Sequence, residues 1–143
     1  MPEPSSIKAR DIMNTFVVTV RPEDTAWTAL ELMNSHGVGA LVVVEGNEAI
    51  GIVTERDILR SVLKKRGVED LLSMLVKDVM SGDLVTCEPD TPLVEVLSKM
   101  VERNIRRVPV VSAGMLEGII TEWNCMKALL DLIKTREHKH ESP

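Results

Sequence analysis

"GIVTERDIL" (residues 51–59) and "GIITEWNCM" (residues 118–126) are one strand-to-helix turn written twice, with Asp57 of the first replaced by Asn124 in the second. The offset is 118 − 51 = 67 residues, and it carries backward through the chain. Asp11 and Met13 fall on Asp78 and Met80, Val18-Thr19 on Val85-Thr86, Pro22 on Pro89, Leu30 on Leu97, Met33 on Met100, and Val43-Val44 on Val110-Val111. With Gly51-Ile52 and Thr54-Glu55 this gives 13 identities over the 49 positions 11–59 without an insertion, a register chance does not hold. Two copies at a period this long indicate an internally duplicated domain rather than a solenoid.

Each copy reads as strand, helix, strand, turn, strand, helix. A short strand is expected at "FVVTV" and again at "LVTCE", each followed by a turn at a proline. Ala26, Ala29, Leu30 and Met33 then recur at helical spacing, as do Leu93, Val96, Leu97 and Met100. "ALVVVE" and "IGIVT" flank "GNEA", and "RVPVVS" and "EGIIT" flank "AGML", which predicts tight strand pairs. The last helix of copy one is expected from about Glu55 to Arg66, with Gly67 as its C′ residue and its cations favouring the helix end. The expected division is a first motif over 7–66, a helical bridge over 67–77, a second motif over 78–134 and a flexible tail over 135–143. Neither half has the apolar content to stand securely alone. The expectation is an α+β fold in which two β-α-β-β-α motifs pack sheet to sheet about a pseudo-twofold axis. Such packing would leave two equivalent clefts suited to small ligands.

A 44% hydrophobic and 27% charged composition places the chain among globular proteins rather than disordered ones. Neither a membrane-length apolar run nor a secretory leader is read from it, and the location expected is the cytoplasm. A net charge of −5 disfavours nucleic acid as a partner, and one Phe, two Trp and no Tyr remove base stacking along an aromatic row. Cys87 and Cys125 lack zinc-like spacing and read as small core residues. His36 stands alone and His138 and His140 fall in the tail, so no metal site is expected. The methionines at 33, 74, 100 and 126 read as core filler, and Trp27 and Trp123 as core or interface residues.

With the "DIM" and "DVM" starts, "GALVVV" and "RRVPVV", and above all "GIVTERD" beside "GIITEWN", the chain resembles a tandem cystathionine-β-synthase (CBS) domain pair over roughly residues 7–134. That resemblance implies a regulatory module, standing alone with nothing else attached. It would bind an adenosine-containing ligand (AMP, ADP, ATP or S-adenosylmethionine), associate as a disc-like homodimer, and signal by conformational change to an unidentified regulated protein. No enzyme activity, cofactor or membrane partner is implied; the adenine nucleotide is a regulatory ligand. The alternative is a protein- or nucleic-acid-interaction module without a nucleotide, with "LRSVLKKRG" as its basic edge.

From its residues, the Thr54 turn is a helix N-cap with Asp57 as the acidic member of a capping box, and Thr121 with Asn124 is a poorer version. The same geometry can serve a ligand: a helix N-terminus receives anions, and a carboxylate is a two-pronged acceptor suited to a ribose diol. By the resemblance, Thr54 and Asp57 touch phosphate or ribose, and Arg106 and Arg107 before the central strand reach phosphates. The first cleft would draw on Thr54, Asp57, Gly39, Ala40, Met80, Val85, Ile105 and Arg106. The second would draw on Thr121, Asn124, Arg106, Arg107, Met13, Val18 and Val38. Asn124 brings one acceptor oxygen and no charge, so the two sites are expected to be unequal.

Overall fold

The computed structural model describes residues 6–65 and 67–141, with the side chains of 65 and 137–141 outside the description. In chain order the elements are α1 (Ala9–Ile12), β1 (Thr19–Val20), α2 (Ala26–His36), β2 (Ala40–Glu45), β3 (Glu48–Thr54), α3 (Glu55–Lys65), a 3₁₀ turn (Glu69–Leu72), α4 (Val76–Val79), α5 (Leu93–Arg103), β4 (Arg107–Ser112), β5 (Met115–Thr121) and α6 (Glu122–Glu141). The fold is α+β, as expected, and forms two compact units. One, the Thr54 unit, comprises Val17–Leu84 with Gly114–Leu116; the other, the Thr121 unit, comprises the described residues up to Phe16, Val85–Ala113 and those from Glu117 onward.

In the Thr54 unit β1 runs parallel to β2, pairing Thr19 with Val42, and β2 runs antiparallel to β3, pairing Ala40 with Thr54. The turn between β2 and β3 places Gly46 and Asn47 at φ 59° and 86°, the left-handed pair that a two-residue hairpin turn demands. That turn fixes the register, and the register brings the start of β2 beside the end of β3. Leu41, Val43, Val53 and Ile58 are fully enclosed, with Ala26, Ala29 and Met33 of α2 closing over them. Each fully buried aliphatic side chain contributes about 1.5–3 kcal/mol. The Thr121 unit has its own core of Val108, Val110, Ile120, Leu93, Val96, Cys87 and Cys125.

The compact units are not the sequence repeats. Ala9 N–H donates to Thr91 O (2.8 Å), Arg10 N–H to Pro89 O (3.0 Å), and Leu93 N–H to Ile7 O (2.8 Å), so residues 7–14 fold with the body of the second repeat. The same bonds recur 67 residues away: Val76 N–H to Asp24 O (2.8 Å), Lys77 N–H to Pro22 O (3.0 Å), and Ala26 N–H to Met74 O (2.8 Å). Each repeat's leading segment therefore completes the other repeat's body. Asn14 bridges Ile119 in the Thr121 unit, and Ser81 bridges Ile52 in the Thr54 unit.

The first strands are shorter than expected. The chain passes from one unit to the other between Phe16 and Val17 and back between Leu84 and Val85. Of "FVVTV" only Thr19–Val20 forms a strand, and "LVTCE" contributes a single parallel bridge from Cys87 to Val110. The helix expected from Glu55 is described through Lys65, and its expected last residue, Arg66, lies outside the described residues. The C′ role expected of Gly67 turns on the junction with Arg66 and so lies outside the described residues. Left-handed helix ends are found at Gly37 (φ 64°) and Asn104 (φ 53°), again 67 residues apart. Met33, Met74 and Met100 are buried as expected, but Met126 is 58% exposed, because it lies on the open face of α6. The backbone of α6 stays helical through Glu141, past the end of the expected second motif, while the side chains of His138 and His140 lie outside the described residues. No helix among the described residues is long and apolar enough to cross a membrane.

Candidate functional site

The Thr54 turn is a reciprocal cap. Thr54 N–H donates to Asp57 Oδ2 (2.9 Å) and Asp57 N–H donates to Thr54 Oγ1 (3.1 Å). Glu55 N–H, the next donor, goes to Gly39 O at the start of β2 (3.0 Å). A capping box satisfies two of the N–H groups that a helix start leaves open. Two side-chain functions are left over among the described residues: Asp57 Oδ1, an anionic acceptor, and the hydroxyl proton of Thr54. Thr54 is half-buried at the mouth of the turn.

The Thr121 turn has the same frame and a different residue of chemistry. Thr121 N–H donates to Asn124 Oδ1 (2.8 Å), Asn124 N–H donates to Thr121 Oγ1 (3.2 Å), and Glu122 N–H donates to Arg106 O (2.9 Å). The Thr121 hydroxyl also donates to Asn124 Oδ1 (2.9 Å), and Asn14 Nδ2 reaches the same oxygen at 3.5 Å. A backbone N–H can only donate, so the amide oxygen must face Thr121 and the assignment of Oδ1 and Nδ2 is fixed by the network. Oδ1 is thus saturated with three donors, and Asn124 Nδ2 is the function that remains. Arg106 lies over the first turn of α6, its Nε 4.0 Å from Glu122 Oε1.

A close backbone approach stands behind each turn. A Cβ on Gly51 would lie 2.8 Å from both Met80 Sδ and Ser81 O; one on Gly118 would lie 2.7 Å from Met13 Sδ and 2.8 Å from Asn14 O. Glycine is what lets the leading segment lie against the strand. Of the expected site residues, Thr54, Asp57, Gly39, Ala40, Met80, Val18 and Val38 belong to the Thr54 unit. Thr121, Asn124, Arg106, Arg107, Ile105, Met13 and Val85 belong to the Thr121 unit. Val18 and Met80 pack against the first core, and Met13 and Ile105 against the second. Asn14 was missed from the sequence; its position next to Met13, matched by Ser81 next to Met80, was the available signal.

Cys125 follows Asn124 and is 1% exposed; burial first, and the charge of Glu122 second, push its thiol upward. Burial also pushes the Cys87 thiol up to about 11, against the opposing pull of Lys99. Both are free thiols held protonated in the core. A hollow of about 210 Å³ in the Thr54 unit is lined by Asp70, Ser73, Met74, Asp78 and Val79, none of them an expected site residue. Among the described residues no three His, Cys, Asp or Glu side chains gather as a metal cluster would require.

The chain is similar to a CBS domain-containing protein of Bacillus subtilis, 39% identical over 117 residues, which are 81% of this chain and 79% of that one. Its fold matches a CBS-domain-containing protein from Agrobacterium tumefaciens with a TM-score of 0.77 and 28% identity, covering 85% of this chain and 98% of that one. It also matches, with a TM-score of 0.77 and 22% identity over 86% of this chain and 95% of the other, a CBS domain pair solved in complex with 5′-methylthioadenosine and S-adenosyl-L-methionine. CBS domains are matched at residues 9–64 and 76–131. Those two spans are themselves offset by 67 residues (76 − 9 and 131 − 64), the register of the two turns, and the chain belongs to the CBS domain family, carrying the domain in tandem.

Proposed function

We propose that this CBS pair is a non-catalytic sensor of an adenosine-containing ligand, held first at the Thr54 turn, whose occupancy is passed to a partner protein as a conformational change. The observation that carries the reading is the leftover chemistry of Thr54 and Asp57. Once the helix is capped, a carboxylate oxygen and a hydroxyl proton remain at the helix start. A ribose diol offers two donors to such an acceptor, and a phosphate accepts from the hydroxyl and from helix N–H groups. The reading also takes the Thr121 turn as a second ligand site of different strength. Ligand can shift a conformational equilibrium only by its differential affinity for the two states. The sensor reading therefore requires that binding and the partner interaction respond to each other.

Isothermal titration of the ligand-stripped protein with adenosine, AMP, ADP, ATP, 5′-methylthioadenosine and S-adenosylmethionine tests the assignment. Binding heat with at least one is expected; no heat and no thermal shift with any of them sinks it. A second copy of the chain is proposed as a further partner. Trp123, Met126, Leu130 and Ile133 line one exposed face of α6 at helical spacing, and Leu59 and Leu63 do so on α3. Exposed apolar stripes of this kind on a chain this small are suited to protein contact.

A further inference from the structure

Resting on the reading of the two turns as ligand sites, we propose that the residue at position 14, and its repeat equivalent at position 81, set how strongly each turn takes a ligand. Asn14 is a built-in occupant of the Thr121 turn, and Ser81 leaves the Thr54 turn open. The two positions are 81 − 14 = 67 residues apart and stand in the same backbone frame. Asn14 is held on β5 by a reciprocal pair with Ile119, 2.9 Å in both directions. Ser81 is held on β3 by the same pair with Ile52, its N–H donating at 2.9 Å and its carbonyl accepting at 3.1 Å. Their carbonyls lie over Gly118 and Gly51, in both cases 2.8 Å from where a Cβ would stand. Each side chain therefore springs from a fixed point beside its turn.

From that point the two side chains do different things. Asn14 Nδ2 reaches Asn124 Oδ1 at 3.5 Å, joining Thr121 N–H and the Thr121 hydroxyl on the same oxygen. An amide oxygen has two lone pairs, so three donors leave no place on it for a donor from outside. Ser81 is shorter, and among the described residues its hydroxyl makes no bond to Asp57, whose Oδ1 stays open while Oδ2 caps Thr54 N–H. The inequality of the turns thus does not reside in Asp57 and Asn124 alone. An aspartate at position 124 would offer Asn14 a charged acceptor, and a hydrogen bond to an ionised oxygen is the stronger kind. The new oxygen would go to Asn14 before it went to a ligand. Asn14 acts through residue 124 and not on the ligand itself, so it is a positioning residue. It is exposed and its bond is long, so its loss leaves the capping bonds between Thr121 and Asn124 in place.

The test is a calorimetric titration of adenosine into four ligand-stripped, full-length proteins: the parent, Asn124→Asp, Asn124→Asp with Asn14→Ser, and Ser81→Asn. The ¹⁵N amides of residues 121–125 and 54–58 assign each binding event to its turn. Asn124→Asp alone is expected to leave binding at the Thr121 turn near that of the parent. Adding Asn14→Ser should strengthen it about ten-fold, the effect of releasing one charge-assisted hydrogen bond. Ser81→Asn should weaken binding at the Thr54 turn about ten-fold, because the longer side chain then donates to Asp57 Oδ1. Each substitution installs the residue that the other repeat carries in the same frame, so the fold is kept, and far-ultraviolet circular dichroism checks it. The proposal is overturned if Asn124→Asp alone gains as much as the double variant, if the double variant gains nothing, or if Ser81→Asn binds as the parent does. A parent protein that gives no heat and no movement of the 54–58 amides has a different meaning: it overturns the reading of the turns as adenosine sites, and this proposal with it.

Discussion

Gly118→Ala places a methyl group where the leading segment crosses β5. The new carbon would sit 2.7 Å from Met13 Sδ, 3.0 Å from Met13 Cγ and 2.8 Å from Asn14 O. The methionine tip can rotate away, but the Asn14 carbonyl is held by a reciprocal pair with Ile119, N–H to O at 2.9 Å in both directions. The protein can keep the pair and accept the overpacking, at about 1–3 kcal/mol. It can otherwise release the segment and lose two hydrogen bonds of about 1 kcal/mol each along with part of the Met13 burial. Overlaps as deep as 2.7–2.8 Å put the first route in the upper part of its range, so either route costs about 2–3 kcal/mol, offset by about 0.4–1 kcal/mol because alanine stiffens the unfolded chain. The net expectation is a loss of about 2 kcal/mol, or about 6 °C in Tm for a chain of this size. Urea unfolding followed by far-ultraviolet circular dichroism measures it, and amide exchange at Asn14 and Ile119 should accelerate together. Gly51→Ala meets the same obstacle from Met80 Sδ and Ser81 O and should lose a similar amount. A Gly118→Ala protein within about 0.5 kcal/mol of the parent would contradict this account, since overpacking of this kind does not go unfelt. So would a loss confined to one of the two glycines.

Asp57→Ala and Asn124→Ala each remove an N-cap partner and should cost about 1 kcal/mol of stability. Only Asp57→Ala should abolish most of the adenosine binding heat, and equal effects on binding would contradict the difference between the turns. Cys87 and Cys125 should react with a thiol reagent at pH 8 only after unfolding. Folded Cys87 keeps its proton to about 11 against an ordinary 9.0, so between those values the unfolded chain ionises first. The urea midpoint should therefore hold steady below pH 9 and fall from there towards pH 11, and Cys87→Ala should flatten that fall. Light scattering coupled to size exclusion should give a dimer mass that Met126→Asp with Ile133→Asp reduces to the monomer; an unchanged mass would remove α6 from the contact.

Much of the fold and of both turns was legible in the residues. The capping boxes were readable because a helix start needs partners for its first N–H groups, and Thr with Asp or Asn three residues on supplies them within one turn of chain. The core positions of α2 and α5 followed from helical spacing, and Met126 failed because spacing alone does not say which stripe of α6 is covered. The short first strands were less legible. "FVVTV" has strand composition, but a strand needs a ladder partner, and only Thr19–Val20 find one, on β2 far along the chain. The role of Asn14 was hidden for a related reason: its partner Asn124 lies 110 residues away in the chain.

The duplication, its 67-residue register, and the two capped turns at Thr54 and Thr121 follow from the order of residues alone, because they depend on local pattern and on comparison of the chain with itself. Which leading segment completes which body is settled in three dimensions. The pattern is degenerate there: Met13 could lie on Gly51 or Gly118, Met80 could do the same, and the chemistry of either choice is identical. The fold sets Met13 against Gly118 and Met80 against Gly51. Packing and hydrogen bonding also select the atoms of the turns that stay unused. Asp57 and Asn124 differ by one side-chain heavy atom, but the backbone N–H they must cap consumes an oxygen in both, leaving an acceptor at one turn and a donor at the other.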